Sequence, residues 1–481
     1  MGRVTTVSDD ARTSDHPDAA PGGLPRPAPD VLEVLAAALS PGALLTEPTS
    51  LTAYRHDFTA DEAAAVPLAV VRARDAADVQ ATVRWAAAHG IPLVPRGAGS
   101  GLSGGSNAVE GCVVLSLERM RGVEIDVATR TAVVEPGALN VEVKRAAAAH
   151  GLWYPPDPSS YEICSIGGNV ATNAGGLCCV KYGVTTDYVL GLDVVLADGT
   201  LVHLGGQRIK DVAGLSLLKL FVGSEGTLGV VTRATLRLVP AQSPPATLVA
   251  TFDSLTDAAR AVIAMGGRLR ASMLELMDRA SINAVEDHQP MGLDRSAGAL
   301  LIAQSDAPGA ARGEEIALME QLCEEGGAKE CFSTTDPQEG ELFVAARRLA
   351  LVAIERRGTI MLEDVGVPVP RLPELLAGIA EIARRRDVEI PVVAHAGDGN
   401  THPVVVYTPG DEDAKARAAQ AFSEVMSLAI SLGGTITGEH GVGRLKRDAL
   451  PEQLGPDVMA LTHRIKQALD PQGILNPGAG F

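Results

Sequence analysis

An Asp-Gly pair between two apolar runs constrains the C-terminal half of this 481-residue chain more than any other feature. The runs are residues 391–394 and 403–406, both rich in valine, and the pair is Asp398-Gly399. Asp-Gly in this setting predicts a β-hairpin with a two-residue turn, because both turn positions need a positive φ. Such a turn would place His395 directly opposite His402 on one face of the hairpin, with Cβ atoms about 5 Å apart.

Two imidazoles at this separation could share a divalent cation. Glu439, in the adjacent pair Glu439-His440, would supply a third ligand and leave one position open for substrate, as in catalytic metal sites. The alternative is a polar hairpin without a cation, which is the commoner use of histidines near glycines. Three of the ten histidines fall in these two glycine-rich segments, and this favours a metal site formed by His395, His402 and Glu439, with Zn or Mn as the suitable ion.

Glycine-rich loops dominate the N-terminal half. The first, residues 96–106, contains G-x-G-x-x-G at positions 99–104. A Rossmann turn requires the last glycine to open a helix. Here residues 106–111 are a turn that leads into a strand, so NAD is not expected. Each loop alone is well explained as a set of turns. Together with loops 156–176 and 223–229, however, the first loop offers runs of backbone N–H groups that suit an elongated ligand with a diphosphate.

The proline-containing link 240–245 is the clearest domain boundary. Before it we predict a helix at 75–88 between Asp75 and Gly90, and a helix capped by Asn140 that stops at Gly151. The strands expected there are 91–95, 112–117, 131–135, 192–195, 200–204 and 230–238. After the link we predict helices at 257–269, 313–326 and 415–432. The expected domains are residues 31–240 and 246–440, with a segment, 441–481, that returns to the first domain.

Composition excludes several classes of function. The formal charge of −18 argues against nucleic acid or an anionic membrane surface as a partner. The six cysteines show no C-x-x-C spacing, which removes an iron–sulfur cluster or a zinc ribbon. The adjacent pair Cys178-Cys179 is a poor disulfide geometry, which favours reduced thiols in a cytoplasmic protein. Residues 1–30 lack an apolar core and are predicted to form a disordered tail rather than a signal peptide. No apolar run reaches the roughly 18 residues of a membrane span.

Several motifs jointly give the chain a specific resemblance. They are VPRGAGSGLSGG, PPDPSS, SIGGNVATNAGG, KYG, GSEGTLGVVT, HAGDGNTH, TGEHGVGRLK and DPQGILNPG, in this order over residues 45–481. The chain resembles the FAD-linked D-2-hydroxyacid dehydrogenases, a group that includes D-lactate dehydrogenase, the flavin subunit of glycolate oxidase and D-2-hydroxyglutarate dehydrogenase. The resemblance implies an α+β fold: a two-subdomain FAD-binding domain of vanillyl-alcohol-oxidase (PCMH) type, plus an α+β cap domain that carries the substrate and metal site.

The resemblance also implies which residues bind FAD, without a covalent bond, since residues 96–106 contain no histidine. The expected cofactor-binding residues are Arg96, Gly97, Ala98, Gly99, Ser100, Gly101, Leu102, Ser103, Pro136, Gly137, Pro156, Asp157, Ser160, Gly167, Gly168, Asn169, Asn173, Gly226, Val230, Val231 and Asn476.

In the cap, the resemblance makes His395, His402 and Glu439 the metal ligands, His440 the catalytic base and Arg347 the arginine that binds the substrate carboxylate. The implied reaction is metal-assisted hydride transfer from a D-2-hydroxy acid to flavin N5, giving the 2-oxo acid. Relatives specialised for dicarboxylates carry a basic residue shortly before the position of Asp364, where this chain has Leu362-Glu363. We therefore expect D-lactate or glycolate to be preferred over D-2-hydroxyglutarate, with Glu363 repelling a second carboxylate.

The chain has no ligands for an iron–sulfur cluster or haem, so its electrons must pass to an external acceptor: a quinone, an electron-transfer flavoprotein, a cytochrome or a partner subunit. We expect a cytoplasmic protein, free or peripheral at the inner face of the membrane, and a homodimer remains open. There are two rival functions: a non-redox flavoenzyme of alkylglycerone-phosphate synthase type, and a flavin-binding accessory subunit without its own chemistry. The complete set of cap motifs argues against both.

Overall fold

The computed structural model describes residues 29–59, 61 and 63–481. The predicted tail, residues 1–30, lies outside the described residues except for its last two, which open helix α1 (Pro29–Ala38). The described chain forms sheets of four, five and eight strands and one two-stranded ribbon. The first two sheets belong to the N-terminal half, and the third belongs to the part of the chain after the link at 240–245.

The first sheet positions the first glycine-rich loop. Its spatial order is β1-β2-β4-β3, where the strands are β1 (Leu44–Leu45), β2 (Ala69–Arg72), β3 (Leu93–Arg96) and β4 (Val113–Ser116). Strands β2, β4 and β3 are parallel and largely buried, as expected for a parallel sheet covered on both faces. Helix α2 (Pro48–Thr52) connects β1 to β2, and helix α3 (Ala76–His89) connects β2 to β3. Helix α3 begins after Asp75, which caps it, and ends at Gly90 with φ +63°, both as predicted.

The second sheet is antiparallel and has the order β5-β6-β10-β8-β9. The strands of this region are β5 (Val123–Asp126), β6 (Thr131–Val134), β7 (Leu152–Trp153), β8 (Val189–Val195), β9 (Leu201–Gly205), β10 (Val230–Arg237) and β11 (Val239–Pro240). Its helices are α4 (Asn140–Ala148), α5 (Ile166–Thr172), α6 (Cys179–Tyr182) and α7 (Leu217–Phe221). Strand β10 alternates buried and more exposed residues, because only one sheet face packs on the core that α4 and α5 complete.

The third sheet is the frame of the second domain and has the order β15-β12-β14-β13-β18-β19-β16, with β17 beside β19. Its strands are β12 (Ala246–Phe252), β13 (Met273–Asp278), β14 (Ala299–Ser305), β15 (Glu330–Thr334), β16 (Thr359–Leu362), β17 (Val365–Gly366), β18 (Val392–His395) and β19 (Asn400–Tyr407). Its helices are α8 (Leu255–Gly266), α9 (Arg279–His288), α10 (Ala311–Glu325), α11 (Pro337–Glu355), α12 (Leu372–Arg386) and α13 (Glu412–Ser431). Helices α8, α10, α12 and α13 cover one face of the sheet, and α9 and α11 cover the other.

The C-terminal residues return to the first sheet. After helix α14 (Leu450–Leu469), which is broken at Gly455 with φ +73°, the chain runs alongside β3. The backbone N–H of Leu93 donates to Ile474 O at 2.8 Å, and that of Asn476 donates to Leu93 O at 2.7 Å. Ile474 and Leu475 are buried in the core of the first sheet. The end of the chain is therefore structurally part of the N-terminal half.

Every helix and strand predicted above is present, with ends within three residues of the expected ones. Two local predictions were wrong. Asn140 does not cap its helix: the cap is Leu139, and the Asn140 amide donates instead to Pro156 O and Asn169 Oδ1. The hairpin turn has four residues rather than two, so His395 lies opposite Asn400 and not His402. Among the described helices, none is both long and apolar enough to cross a membrane.

Candidate active site

A cavity of about 350 Å³ lies between the glycine-rich loops and the second domain. Its walls include the first loop, helix α5, the turn before β10, helix α11 and the Glu439-His440 segment. The structure therefore brings together loops that are more than 300 residues apart in sequence. Fifteen of the predicted cofactor-binding residues line it: Arg96, Gly97, Ala98, Gly99, Ser100, Gly101, Leu102, Ser103, Ser160, Gly167, Gly168, Asn169, Gly226, Val230 and Val231.

Six predicted cofactor-binding residues do not line this cavity: Pro136, Gly137, Pro156, Asp157, Asn173 and Asn476. Two of them, Asp157 and Asn476, make hydrogen bonds that hold the loops. The Asp157 carboxylate accepts hydrogen bonds from the backbone N–H and thiol of Cys178. The Asn476 amide donates to Glu225 O at 2.7 Å and to Gly105 O at 2.9 Å, which ties the C-terminal segment to two loops of the cavity wall.

The first loop has the features needed to hold a diphosphate. The backbone N–H groups of residues 99–101 make no hydrogen bond within the described part of the chain, so they remain available to an anion in the cavity. Gly97 allows the loop to approach α5 closely: a Cβ there would lie 2.3 Å from Ser165 Oγ. Ser165, which sequence reasoning missed, caps α5 and accepts a hydrogen bond from Ala98 N. The loop and its support fit FAD.

The three predicted metal ligands meet beside the cavity, and two of them, His402 and Glu439, line it. His395 Nε2 lies 3.2 Å and His402 Nε2 lies 3.3 Å from Glu439 Oε1, and the ligand atoms of all three residues lie within 4.8 Å of one another. The two-residue error in hairpin register did not separate the histidines, because side chains alternate with period two and both still occupy one face. Their ring centroids are 5.0 Å apart.

The electrostatics of the three residues favour a cation. Burial opposes the charged forms of both His395 and Glu439. The Glu275 and Glu439 carboxylates nevertheless raise the pKa of His395 well above its usual value. His395 and His402 in turn lower the pKa of Glu439 well below its usual value. The two carboxylates thus create a negative potential at His395 that favours its protonated form. The same potential attracts a metal ion in place of the proton.

His440 faces the same point from the other side. Its ring stacks on His402 at a centroid distance of 4.9 Å, and its Nε2 lies 3.8 Å from Glu439 Oε1. Burial lowers the pKa of His440 to about 4. The imidazole is therefore neutral near pH 7 and holds a lone pair that can accept a proton.

Two buried carboxylates that sequence reasoning missed hold the Glu439-His440 segment. Asp364 Oδ2 accepts hydrogen bonds from Thr437 Oγ1 and from the backbone N–H groups of residues 438–440. From the N-terminal half, Glu225 accepts the N–H groups of residues 442 and 443. In the sequence, Asp364 is only an acid next to an apolar strand, and Glu225 is only an acid inside a glycine-rich loop. Neither signal identifies a partner.

Arg347, on helix α11, lines the cavity and is 5% exposed. Its Nε lies 2.9 Å from Oε2 of the fully buried Glu275, but neither Nε nor Nη2 has a hydrogen-bond partner among the described residues. A buried guanidinium with unused donors at a cavity wall has the geometry to bind a carboxylate. The structure thus brings Arg347 and His440, the two predicted catalytic residues, to the same cavity.

The expectation about Glu363 was wrong in its physical reason. Leu362 lines the cavity, whereas Glu363 is not on its wall, is fully buried and pairs with Lys446 Nζ at 2.7 Å. Glu363 cannot repel a second carboxylate from this position. Arg348 also lines the cavity, but it pairs with Glu341 at 2.5 Å and its guanidinium lies over the Tyr161 ring.

The architecture defines the class of protein. The chain superposes on p-cresol methylhydroxylase with a TM-score of 0.78 at 18% identity, covering 94% of this chain and 96% of that one. It also superposes on an alkyldihydroxyacetonephosphate synthase with a TM-score of 0.73 at 17% identity, covering 94% and 86%. The fold is the predicted vanillyl-alcohol-oxidase-type flavoprotein fold.

Sequence comparison gives the family. An FAD binding domain model matches residues 67–205, and the model for the C-terminal domain of FAD linked oxidases matches residues 242–479. The chain is 40% identical to glycolate oxidase subunit GlcD of Bacillus subtilis, over 89% of this chain and 92% of that one. It is 35% identical to D-lactate dehydrogenase of Archaeoglobus fulgidus, over 89% and 95%. The chain belongs to the FAD-linked oxidases, as predicted, and is an FAD-linked oxidoreductase.

Proposed function

We propose that the chain oxidises a small D-2-hydroxy acid, D-lactate or glycolate, to the corresponding 2-oxo acid and passes the electrons to an external acceptor. One observation carries the proposal: a single cavity is lined by the FAD loops, Arg347, His440 and two members, His402 and Glu439, of the His395–His402–Glu439 cluster. The relatives named glycolate oxidase subunit and D-lactate dehydrogenase agree with it.

Each residue has a defined role in this proposal. Arg347 binds the substrate carboxylate through its free guanidinium donors and so fixes the orientation of the substrate in the cavity. His395, His402 and Glu439 would hold a divalent cation, which supplies Lewis acidity toward the substrate hydroxyl. His440 is neutral and takes the hydroxyl proton at Nε2, the ring nitrogen closer to Glu439. Bound FAD supplies the two-electron acceptor.

The shape of the cavity wall supports a preference for monocarboxylates. Leu362 presents an apolar side chain, so a second carboxylate would lose water there without gaining a partner. The competing assignment is D-2-hydroxyglutarate, whose second carboxylate needs a second positively charged side chain in the cavity. Arg348 is the candidate, and it already forms an ion pair with Glu341. We expect kcat/KM for D-lactate and glycolate to exceed that for D-2-hydroxyglutarate by about tenfold, which corresponds to about 1.4 kcal/mol.

Anaerobic reduction of the bound flavin tests the proposal. D-lactate and glycolate should bleach the flavin absorbance near about 450 nm, a property of the cofactor, whereas L-lactate should not. Steady-state rates on D-lactate, glycolate and D-2-hydroxyglutarate with an artificial electron acceptor then rank the substrates. If no 2-hydroxy acid bleaches the flavin, the oxidation is refuted and a non-redox flavoenzyme or an accessory subunit becomes the better assignment. A highest kcat/KM for D-2-hydroxyglutarate would refute the preference for monocarboxylates.

A further inference from the structure

Glu275 is a fully buried acid in the middle of an apolar strand. It occupies the centre of β13, flanked by Leu274 and Leu276, and none of its surface is exposed. Burying an ionised carboxylate costs several kcal/mol unless charged or hydrogen-bonding partners compensate it. A leucine or valine would fill such a position in an ordinary sheet, so the partners of Glu275 explain why an acid is there.

Each carboxylate oxygen of Glu275 has one partner from the active site. Glu275 lies directly opposite His395 in the β13–β18 pairing, and its Oε1 is 2.7 Å from His395 Nδ1. Its Oε2 forms an ion pair with Arg347 Nε at 2.9 Å. Helix α11, which carries Arg347, packs on the same face of the sheet. One side chain therefore contacts both a candidate metal ligand and the arginine assigned to the substrate.

We propose that Glu275 is a positioning residue that couples the cation site to the arginine that binds the substrate. The inference rests on the proposed function of Arg347 and of the His395–His402–Glu439 cluster. By accepting the Nδ1 proton of His395, Glu275 fixes the tautomer whose Nε2 is free to bind a cation. By pairing with Nε of Arg347, it leaves the remaining donors of the guanidinium for a carboxylate in the cavity.

Charge gives Glu275 a second effect. Without it, the guanidinium of Arg347 and a divalent cation would repel each other across a buried site, where the effective dielectric constant is low. The negative charge between them reduces this repulsion. Cation binding and substrate binding should therefore both weaken when the charge of Glu275 is removed, although Glu275 itself does not line the cavity.

The test variant is Glu275→Gln, which keeps the shape of the side chain but leaves one acceptor oxygen for two donors. We expect the Kd for Zn²⁺ or Mn²⁺, titrated into metal-stripped protein, to rise by about 10- to 100-fold. We also expect KM for D-lactate to rise by about tenfold, while FAD content stays at the wild-type level. Asp278→Asn is the matched control: it is an acid-to-amide change on the same strand, at the cap of α9 and away from the cavity. It should change neither constant.

The double variant Glu275→Gln/Arg347→Gln separates coupling from simple structural support. Removing the uncompensated guanidinium should restore part of the cation affinity that Glu275→Gln loses, by severalfold. A merely structural role predicts no recovery, since the second substitution removes another side chain from the same face. Cation affinity in the double variant equal to or below that of the single variant would overturn the coupling.

Folding and the proposed function are checked separately. FAD content and melting temperature report folding. If Glu275→Gln does not fold, Glu275→Asp keeps the charge on a side chain too short to reach both partners, and it should still raise the Kd for the cation. Wild-type protein that binds no divalent cation would refute the metal role in the proposed function. Wild-type protein that binds the cation, with Glu275→Gln or Glu275→Asp binding it within twofold as tightly, would refute the role of Glu275 alone.

Discussion

Asp364→Asn is the most informative single substitution, because Asp364 holds the segment that carries Glu439 and His440. Its Oδ2 accepts four hydrogen bonds, at 2.6 Å from Thr437 Oγ1 and at 2.8–3.0 Å from three backbone N–H groups. Its Oδ1 lies 3.6 Å from His402 Nδ1. Burial disfavours its ionised form, but His440, Lys446 and His402 outweigh burial and lower the pKa of Asp364 to about 2.

The size of the effect follows from these contacts. An amide oxygen can still accept the loop hydrogen bonds, but without charge, and a hydrogen bond to a charged group contributes about 1 kcal/mol more than a neutral one. We therefore expect a loss of about 2–4 kcal/mol, or a fall in Tm of about 5–10 °C for a domain of this size. If the amide oxygen stays at the loop, the introduced NH₂ group faces His402 and favours the tautomer that carries hydrogen on Nε2. Cation affinity should then drop about 10- to 100-fold.

Two measurements check this prediction. Metal analysis after dialysis against a weak chelator reports cation affinity, and thermal unfolding followed by flavin fluorescence reports Tm. FAD content should stay near that of wild type, because the FAD loops belong to other elements. A variant that keeps its cation and melts within about 1 °C of wild type would show that Asp364 does not organise the site.

Three further predictions concern the cofactor, the cation and pH. Acid precipitation should release all flavin into the supernatant, and yellow colour retained in the pellet would contradict non-covalent binding. Glu439→Ala should lose the bound divalent cation and most of kcat, a change of several kcal/mol in barrier, with FAD content unchanged; full turnover in a metal-free variant would contradict the metal role. Burial raises the pKa of Glu225 to about 7 from its ordinary 4.5. Because the folded state then binds the proton more tightly than the unfolded chain, Glu225 contributes stability below about pH 4.5 that is lost as pH rises to about 7. Relative to wild type, Glu225→Gln should therefore gain about 3 kcal/mol of stability between about pH 4.5 and 8. If the difference in unfolding free energy between Glu225→Gln and wild type does not change with pH, the raised pKa of Glu225 is contradicted.

The sequence predicted local structure well where interactions among neighbouring residues determine it. Asp75 and Gly90 mark the ends of α3 because a side-chain cap and a positive φ are properties of a few neighbouring residues. The hairpin around residue 398 was also predicted, but not its register. A Cβ at Gly399 would lie 2.1 Å from Val367 O, and β17 pairs with β19 beside it. Of the pair, Gly399 has a positive φ and Asp398 does not, so the two-residue turn, which needs a positive φ at both positions, does not form.

The direction of the Glu363 side chain follows from a local rule of strand geometry. Leu362 ends β16, and successive strand residues face opposite sides, so only one of the two could face the cavity. The partner of the buried acid, Lys446, is more than 80 residues further along the chain. No spacing rule connects residues that far apart. Leu362 therefore lines the cavity, whereas the repulsion expected from Glu363 was wrong.

By itself, the sequence determined the elements of the fold and the three glycine-rich loops, because these depend on periodicity and turn chemistry. Its motifs also identified the side chains assigned to the metal and the substrate. Only the tertiary structure decided which buried acids support those side chains. Glu275 meets His395 across 120 residues, and Asp364 meets His440 across 76. In the sequence each of these carboxylates is one acid among 59. Each becomes part of the site only because strand pairing and helix packing bury it beside a partner that compensates its charge.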